Sequence, residues 1–249
     1  MRFKIGGAIL SCLLAANLSG AELSVHAAAS LTNALKEIGS VYEKQTGDKI
    51  QFNFGASSTL ARQIDEGAAG DLFLSADEAK MNTLEQKGLL MPGTRRSLLS
   101  NLLVIIVPAE AQLVPKSAAD LEKSDYKKIA LAQPASVPAG IYAREYLQEL
   151  GLWEPIKDKV VPTESVRAAL AAVESGNVEA GFVYKTDAIL SKKVKIALEI
   201  SAAEGPKISY PVALLKSSKE PDRAKRFTEY LGGAEARDIF KKFGFTFVQ

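Results

Sequence analysis

The chain is poor in the side chains on which most enzymes and metal sites depend. Its 249 residues include one cysteine, one histidine and one tryptophan. Because His and Cys are the usual zinc ligands, a zinc site built from clusters of them is excluded. A Ser-His-Asp triad would have to use His26, and the sequence has no Gly-x-Ser-x-Gly elbow. It also lacks the glycine-rich loops, Gly-x-Gly-x-x-Gly and Gly-x-x-x-x-Gly-Lys, that bind dinucleotides and nucleoside triphosphates.

The N terminus has no apolar run long enough to span a bilayer. A basic start is followed by an apolar stretch over residues 5–14, which is too short for a membrane helix. Small residues at 19–21 suit a signal peptidase. We therefore predict that residues 1–21 form a signal peptide, cleaved after Ala21, and that the protein is exported to the periplasm. A lipid anchor on Cys12 is the alternative.

Net charge is also lacking once this leader is removed. The whole chain carries 31 Lys and Arg against 29 Asp and Glu. The leader contains Arg2 and Lys4 and no acidic residue, which leaves 29 basic against 29 acidic residues. A neutral protein argues against nucleic acid and against an anionic membrane surface as partners. Since the single cysteine, Cys12, leaves with the leader, stability must come from buried cores rather than disulfides.

Short apolar runs alternate with amphipathic helical patterns through both halves of the chain. Strands are predicted at residues 22–27, 49–54, 71–75, 102–107, 128–132, 179–184, 194–200 and 208–215. Helices are predicted at residues 31–45, 58–66, 77–87, 140–150 and 165–174, with two more on either side of Gly232-Gly233. This alternation predicts an α/β protein with mostly parallel sheets flanked by helices.

The order of these elements predicts two lobes. One α/β unit precedes residue 100 and another follows it, and the terminal helices need a sheet to cover. We expect lobe 1 to contain residues 22–101 and 210–249, and lobe 2 to contain residues 102–209. In such sheets the ligand lies beyond the carboxyl ends of the strands, where helices begin. The cleft between the lobes is therefore the predicted site.

Several predicted helix starts are rich in small or hydroxyl residues. They are Ser30 and residues 55–59, 137–140 and 162–167. The first backbone N–H groups of a helix have no partner within it, so a helix start can bind an anion. Each of these starts alone is an ordinary capping sequence. If all of them open onto one cleft, they form a small anion site built from neutral donors.

Seven segments resemble the periplasmic molybdate-binding proteins of ABC importers. They are residues 27–34, 57–64, 71–77, 137–143, 166–170, 181–184 and 240–245. The resemblance covers essentially the whole chain after the leader, in the same order. It implies the two-lobe periplasmic-binding-protein fold of type II. It also implies an exported protein that captures molybdate, or tungstate, and delivers it to an ABC transporter permease in the membrane.

The resemblance also implies the residues that hold the oxyanion. They are the hydroxyls of Ser30, Ser57 and Tyr184 and the backbone N–H groups of Ala139 and Val166. Ser58 is an alternative to Ser57, because the family often has three serines where this chain has Ala56-Ser57-Ser58. His26 stands where a bulky apolar residue is common. We interpret it as a strand residue near the mouth of the first strand–helix junction.

The same resemblance implies a monomer with no catalytic residues and no cofactor, in which metal is bound only as its oxyanion. Two alternatives remain open at this point. One is a binding protein for another tetrahedral oxyanion, such as sulfate. The other is an exported hydrolase that uses Tyr184 with Lys185, or Asp71, although the sequence shows no nucleophile–base pair.

Overall fold

The computed structural model describes residues 21–248, which contain eleven strands and nine α-helices. The strands are β1 (Glu22–Ala28), β2 (Lys49–Gly55), β3 (Leu72–Leu74), β4 (Arg96–Ser100), β5 (Leu103–Pro108), β6 (Ile129–Ala132), β7 (Val160–Thr163), β8 (Ala180–Tyr184), β9 (Val194–Glu199), β10 (Tyr210–Leu214) and β11 (Thr246–Phe247). The helices are α1 (Thr32–Thr46), α2 (Ser57–Asp65), α3 (Glu78–Gln86), α4 (Pro138–Glu149), α5 (Trp153–Ile156), α6 (Val166–Glu174), α7 (Lys185–Ala188), α8 (Pro221–Leu231) and α9 (Ala234–Lys242). Residues 1–20 of the predicted signal peptide, with Cys12, lie outside the described residues.

The strands form two sheets. The first has six strands in the order β11-β4-β10-β3-β1-β2, and the second has five in the order β7-β6-β8-β5-β9. Three neighbouring strands are parallel in each sheet, β2-β1-β3 and β7-β6-β8, and the remaining pairs are antiparallel. The α/β class is confirmed, but the sheets are mixed rather than mostly parallel. A parallel neighbour requires a helical crossover, whereas β5 and β10 enter their sheets directly from the other sheet.

Three strands were not predicted from the sequence. In β7 three residues are partly buried and Pro162 is exposed, which is typical of an edge strand. Strand β11 has two residues, and β4 has two buried leucines beside exposed Arg96. None of these segments has the continuous or alternating apolar pattern by which a strand is detected.

The chain passes between the sheets twice. The first crossing, between β4 and β5, contains Asn101 and Leu102, and the second lies between β9 and β10. Strands β1–β4, β10 and β11 make the first sheet, and β5–β9 make the second. The predicted lobes, residues 22–101 with 210–249 and residues 102–209, divide the strands in the same way. The domain boundaries themselves stay a prediction.

Helix α1 illustrates how the sequence forms these elements. Ala34, Leu35, Ile38 and Tyr42 are buried at helical spacing, which is the amphipathic pattern that predicts a helix over residues 31–45. The helix ends at Gly47, whose φ of 77° is left-handed and is tolerated by glycine at little cost. None of the helices within residues 21–248 combines the length and the apolar character needed to cross a bilayer.

Gly140 sets the position of helix α4 against strand β6. A Cβ atom at this residue would lie 1.9 Å from the carbonyl oxygen of Ala132, the last residue of β6. Glycine therefore allows the first turn of α4 to pack directly on the end of the strand. Pro138 begins the helix, where its missing N–H costs nothing. The close packing brings Ala139 to the carboxyl edge of the second sheet.

Candidate ligand-binding cavity

A small cavity lies at the carboxyl ends of strands from both sheets. Its volume is about 10 Å³, close to the roughly 10–15 Å³ that a single water molecule needs, so it has room only for a very small ligand. Its lining residues are Ala28, Ala29, Ser30, Gly55, Ala56, Ser57, Ala76, Val137, Pro138, Ala139, Ser165, Val166 and Tyr184. The five predicted site residues, Ser30, Ser57, Ala139, Val166 and Tyr184, are all among them. The fold thus brings together residues up to 154 positions apart in the sequence, and their role in binding stays a prediction.

Ser30 lies in a short 3-10 helix, Ala29–Leu31, between β1 and α1. It does not cap α1, because the residue at the cap position is Leu31 and the helix has no side-chain cap. Instead the Ser30 hydroxyl lies 3.0 Å from the hydroxyl of Tyr210, in a buried contact. The Ser30 hydroxyl is therefore not used as a helix cap, although a serine at a helix start is an ordinary capping residue.

Ser57 is the first residue of helix α2 and is buried. Its Oγ accepts a hydrogen bond of 2.9 Å from the backbone N–H of Ala76. Because a hydroxyl also carries one proton of its own, Ser57 remains able to donate that proton to a ligand. Ser58 is only partly buried and is not a lining residue. The geometry therefore favours Ser57 over Ser58 as the contact.

The helix starts around the cavity supply backbone donors. Helices α2 and α4 both begin without a side-chain cap. At α6, Ser165 caps the helix by accepting from the N–H of Ala168, at 3.2 Å. This cap does not use the backbone N–H of Val166, the first residue of α6. Partial positive charge is thus directed at the cavity from several helices.

Tyr184, the last residue of β8, is 1% exposed. Its hydroxyl has no hydrogen-bond partner within residues 21–248. Burial raises the pKa of this hydroxyl well above its ordinary value, and the nearby Tyr210 raises it further. Tyr184 therefore stays protonated and able to donate. A buried polar group left without a partner costs about 1–3 kcal/mol, so this hydroxyl is suited to receive an acceptor from a ligand.

Charge is kept behind the cavity wall rather than in it. Of the described residues that line the cavity, none is charged. Arg167 follows the lining residue Val166 and forms an ion pair of 2.5 Å with Asp187, which is fully buried. Arg167 also donates to the carbonyl oxygen of Ser30, at 3.5 Å, and so connects α6 to the segment after β1. Burial raises the pKa of Asp187 to about 6, although the positive charge of Arg167 opposes the shift.

Comparison with known proteins identifies the family. The family described as bacterial extracellular solute-binding protein matches residues 23–246. This chain belongs to that family. It is 40% identical to the molybdate-binding protein ModA of Escherichia coli over 248 residues, 96% of this chain and 95% of the relative. It is 36% identical to ModA of Haemophilus influenzae over 251 residues, 98% and 97% of the two chains.

A solved structure confirms the architecture. The periplasmic molybdate-binding protein of Azotobacter vinelandii superposes with a TM-score of 0.82 at 27% identity, covering 91% of this chain and 100% of that one. The resemblance stated from the sequence is therefore confirmed, as is the two-lobe fold of type II periplasmic binding proteins.

Residues that could serve a hydrolase in this solute-binding protein are engaged elsewhere. Asp71 accepts from the N–H of Ser24 at 2.8 Å and from the hydroxyl of Ser218 at 2.6 Å. Lys185 forms an ion pair of 2.8 Å with Glu199. Neither Asp71 nor Lys185 lines the cavity. The described residues also contain no group of three or more His, Cys, Asp or Glu side chains placed to hold a metal ion.

His26 lies outside the cavity lining. Its Nε2 donates to the carbonyl oxygen of Ala69 at 3.0 Å, and its Nδ1 accepts from Asn53 at 3.0 Å. A Cβ at Gly70 would come within 2.6 Å of the ring. The histidine is therefore a packed and hydrogen-bonded strand residue, as the sequence interpretation held.

Sequence reasoning missed the residues behind Ser30. Tyr210 and Asn101 are buried, and the Asn101 amide is hydrogen-bonded to the Tyr210 hydroxyl. In the sequence, Tyr210 is simply an aromatic residue in a predicted strand. Asn101 is simply a polar residue in the segment that connects the two sheets. Nothing in the local sequence indicates that they meet Ser30, which lies 180 positions from Tyr210.

Replacement of Tyr184 by phenylalanine tests the unpartnered hydroxyl. In oxyanion-free buffer, Tyr184→Phe should leave the free energy of unfolding unchanged or raise it by up to about 3 kcal/mol, because it removes a buried group without a partner. The matched control is Tyr210→Phe, whose hydroxyl has two partners, and it should lower stability by about 1 kcal/mol or more. Urea unfolding measures both, and equal destabilisation by the two variants would contradict the expectation.

Asp187 predicts a pH dependence of stability. Its pKa is raised from 3.8 to about 6 in the folded protein, so the folded state holds the proton more tightly than the unfolded chain does. The contribution of Asp187 to stability is therefore fully present below about pH 4 and is lost as the pH rises through about 6, by up to about 3 kcal/mol. Asp187→Asn should flatten the urea-unfolding profile between these values. Asp238→Asn, at an exposed carboxylate, should retain the wild-type slope.

Proposed function

We propose that this protein binds molybdate, and tungstate in the same way, in the cavity between its two lobes. The observation that carries the proposal is the buried hydroxyl of Tyr184, unpartnered among residues 21–248, in a cavity lined by neutral groups. The relationship to the molybdate-binding proteins of Escherichia coli and Haemophilus influenzae supports the identity of the ion. The five predicted residues, Ser30, Ser57, Ala139, Val166 and Tyr184, form the binding shell.

The donor chemistry of the cavity matches a fully deprotonated oxyanion. All four oxygens of molybdate accept hydrogen bonds at neutral pH and none donates. Hydroxyls of Ser57 and Tyr184 can each donate one proton, and uncapped helix starts add backbone N–H groups. Hydrogen bonds to a charged group contribute about 1.5–3 kcal/mol each. A few of them therefore suffice for tight binding without a lysine or arginine in the wall.

The position of the cavity supports a role in transport. Its lining comes from both sheets, so an ion that contacts both sides binds the closed arrangement of the lobes better than an open one. The closed, loaded protein would then be the form that an ABC permease recognises in the membrane. We propose that it acts in the periplasm as a monomer, without cofactor and without enzymatic activity. Because no lysine or arginine lines the cavity, no salt bridge holds the ion, which favours its release to the permease.

Titration calorimetry with molybdate, tungstate, sulfate and phosphate tests this function. Molybdate and tungstate should bind with similar, sub-micromolar dissociation constants, because the two ions are nearly equal in size and charge. Sulfate should bind more weakly, since its smaller radius cannot reach every donor at once. Thermal unfolding in the same four ions provides the control. Strong binding of sulfate with none of molybdate would transfer the protein to the sulfate binders.

The two adjacent serines provide a matched pair of variants. Ser57→Ala should weaken molybdate binding about 10- to 100-fold, because it removes one charge-assisted hydrogen bond of about 1.5–3 kcal/mol. Ser58→Ala makes the same chemical change one residue away, outside the cavity lining, and should leave the dissociation constant within about twofold. If Ser58→Ala is the damaging variant, the assignment of Ser57 is wrong.

A further inference from the structure

A chain of buried hydrogen bonds lies behind Ser30. The side-chain NH2 of Asn101 donates to the hydroxyl of Tyr210 at 3.1 Å and to that of Thr186 at 2.8 Å. The Tyr210 hydroxyl in turn lies 3.0 Å from that of Ser30. All four residues are almost completely buried, with exposures of 5% for Asn101, 2% for Tyr210, 1% for Thr186 and 3% for Ser30. Water is therefore not competing for these bonds.

The backbone fixes the orientation of the Asn101 amide. The N–H of Leu102 donates to Asn101 Oδ1 at 2.9 Å. A backbone N–H can only donate, so it must face the amide oxygen and not the amide nitrogen. The NH2 group is thereby turned towards Tyr210 and Thr186. In both of those contacts Asn101 must be the donor.

This orientation sets the direction of the remaining bonds. Tyr210 accepts from Asn101 and has one proton, which is free to go to Ser30 Oγ. Burial raises the pKa of Tyr210 far above its ordinary value, so the proton is retained. Ser30 then accepts from Tyr210, and its own proton is left for the cavity that it lines.

The Ser57 hydroxyl is oriented in the same way as that of Ser30, but by a different donor. The backbone N–H of Ala76 donates to its Oγ, which also leaves the serine proton for the cavity. The two serines on the first-sheet side of the cavity are thus both oriented by a protein donor. Because an N–H cannot reverse its role, one lone pair of each serine stays occupied by a protein donor, which favours the proton as the group presented to the cavity.

We propose that Asn101 is a specificity-determining positioning residue which, acting through Tyr210, makes Ser30 a donor towards the bound ion. The inference rests on the proposed function and names its selectivity. A cavity of fixed donors accepts oxyanions that carry no proton, such as molybdate, tungstate and sulfate. It disfavours hydrogen phosphate and hydrogen arsenate, because their remaining proton would face a donor.

The substitution Asn101→Asp reverses the direction of the hydrogen bonds from residue 101 through Tyr210 to Ser30, with little change in side-chain shape. The introduced carboxylate still accepts from the N–H of Leu102, but it also accepts from Tyr210. Tyr210 then accepts from Ser30, whose lone pairs are turned to the cavity. At pH 8, where phosphate is chiefly the dianion HPO₄²⁻, we expect the ratio of phosphate to molybdate dissociation constants to fall at least tenfold.

Sulfate separates this effect from simple repulsion. Molybdate, sulfate and hydrogen phosphate are all dianions at this pH, so an added negative charge weakens the binding of all three alike. The ratio of sulfate to molybdate dissociation constants should therefore stay within about twofold in Asn101→Asp, measured by competition against molybdate. A phosphate-to-molybdate ratio that also stays within twofold would overturn the proposal.

Tyr210→Phe provides a second variant that keeps the ring and removes the relay. Without the tyrosine hydroxyl, Ser30 is free to rotate, and the phosphate-to-molybdate ratio should fall at least threefold. In the Tyr210→Phe background, Asn101→Asp should change that ratio no further. If it still changes the ratio, the introduced charge acts without the Tyr210 hydroxyl, and the mechanism is wrong. If the wild-type protein binds none of the oxyanions, the proposed function fails. If it binds molybdate with an unchanged ratio in both variants, only the role of Asn101 fails.

Discussion

The structure depends on one constraint, the backbone N–H and hydroxyl donors that collect where parallel strands end and helices begin. A helix start leaves N–H groups without partners, and a buried donor without a partner is costly. Here such starts from two sheets converge on one cavity, together with the hydroxyl of Tyr184. The two lobes can satisfy these donors together only through an acceptor held between them. An acceptor that contacts both sides of the cavity would therefore favour a closed arrangement of the lobes.

The neutrality of the cavity wall has a physical consequence. A lysine or arginine would attract any anion, whereas oriented hydroxyls and N–H groups discriminate by size and by protonation. The charged pair Arg167–Asp187 lies immediately behind the wall, and Arg167 contacts the carbonyl oxygen of Ser30 across the cleft. Arg167 thus links the two predicted lobes, while Asp187, on the same side as Arg167, balances its charge away from the cavity lining. The charged contact between the lobes and the neutral donors that select the ion are thus different groups.

Much of the fold was accessible from the sequence because its elements have strong local patterns. Helix α1 is recognised by the helical spacing of its apolar residues, and β5 by its continuous apolar run. Strands β7 and β11 were not predicted because they lie at sheet edges and β11 has only two residues. Strand β4 was not predicted because its two buried leucines follow two exposed residues, which gives no strand pattern. The mixed character of the sheets also escaped, since the direction in which β5 and β10 enter depends on the crossings between sheets.

The sequence by itself determined which residue types stand at each helix start, and its resemblance to a family named Ser30, Ser57, Ala139, Val166 and Tyr184. Capping residues act within a few positions, so local sequence suffices to find them. Only the tertiary structure decided which hydroxyl protons point into the cavity. That choice depends on donors far away in the chain, Asn101 through Tyr210 for Ser30 and Ala76 for Ser57. Hydrogen-bond direction is a property of neighbours in space, which no local pattern records.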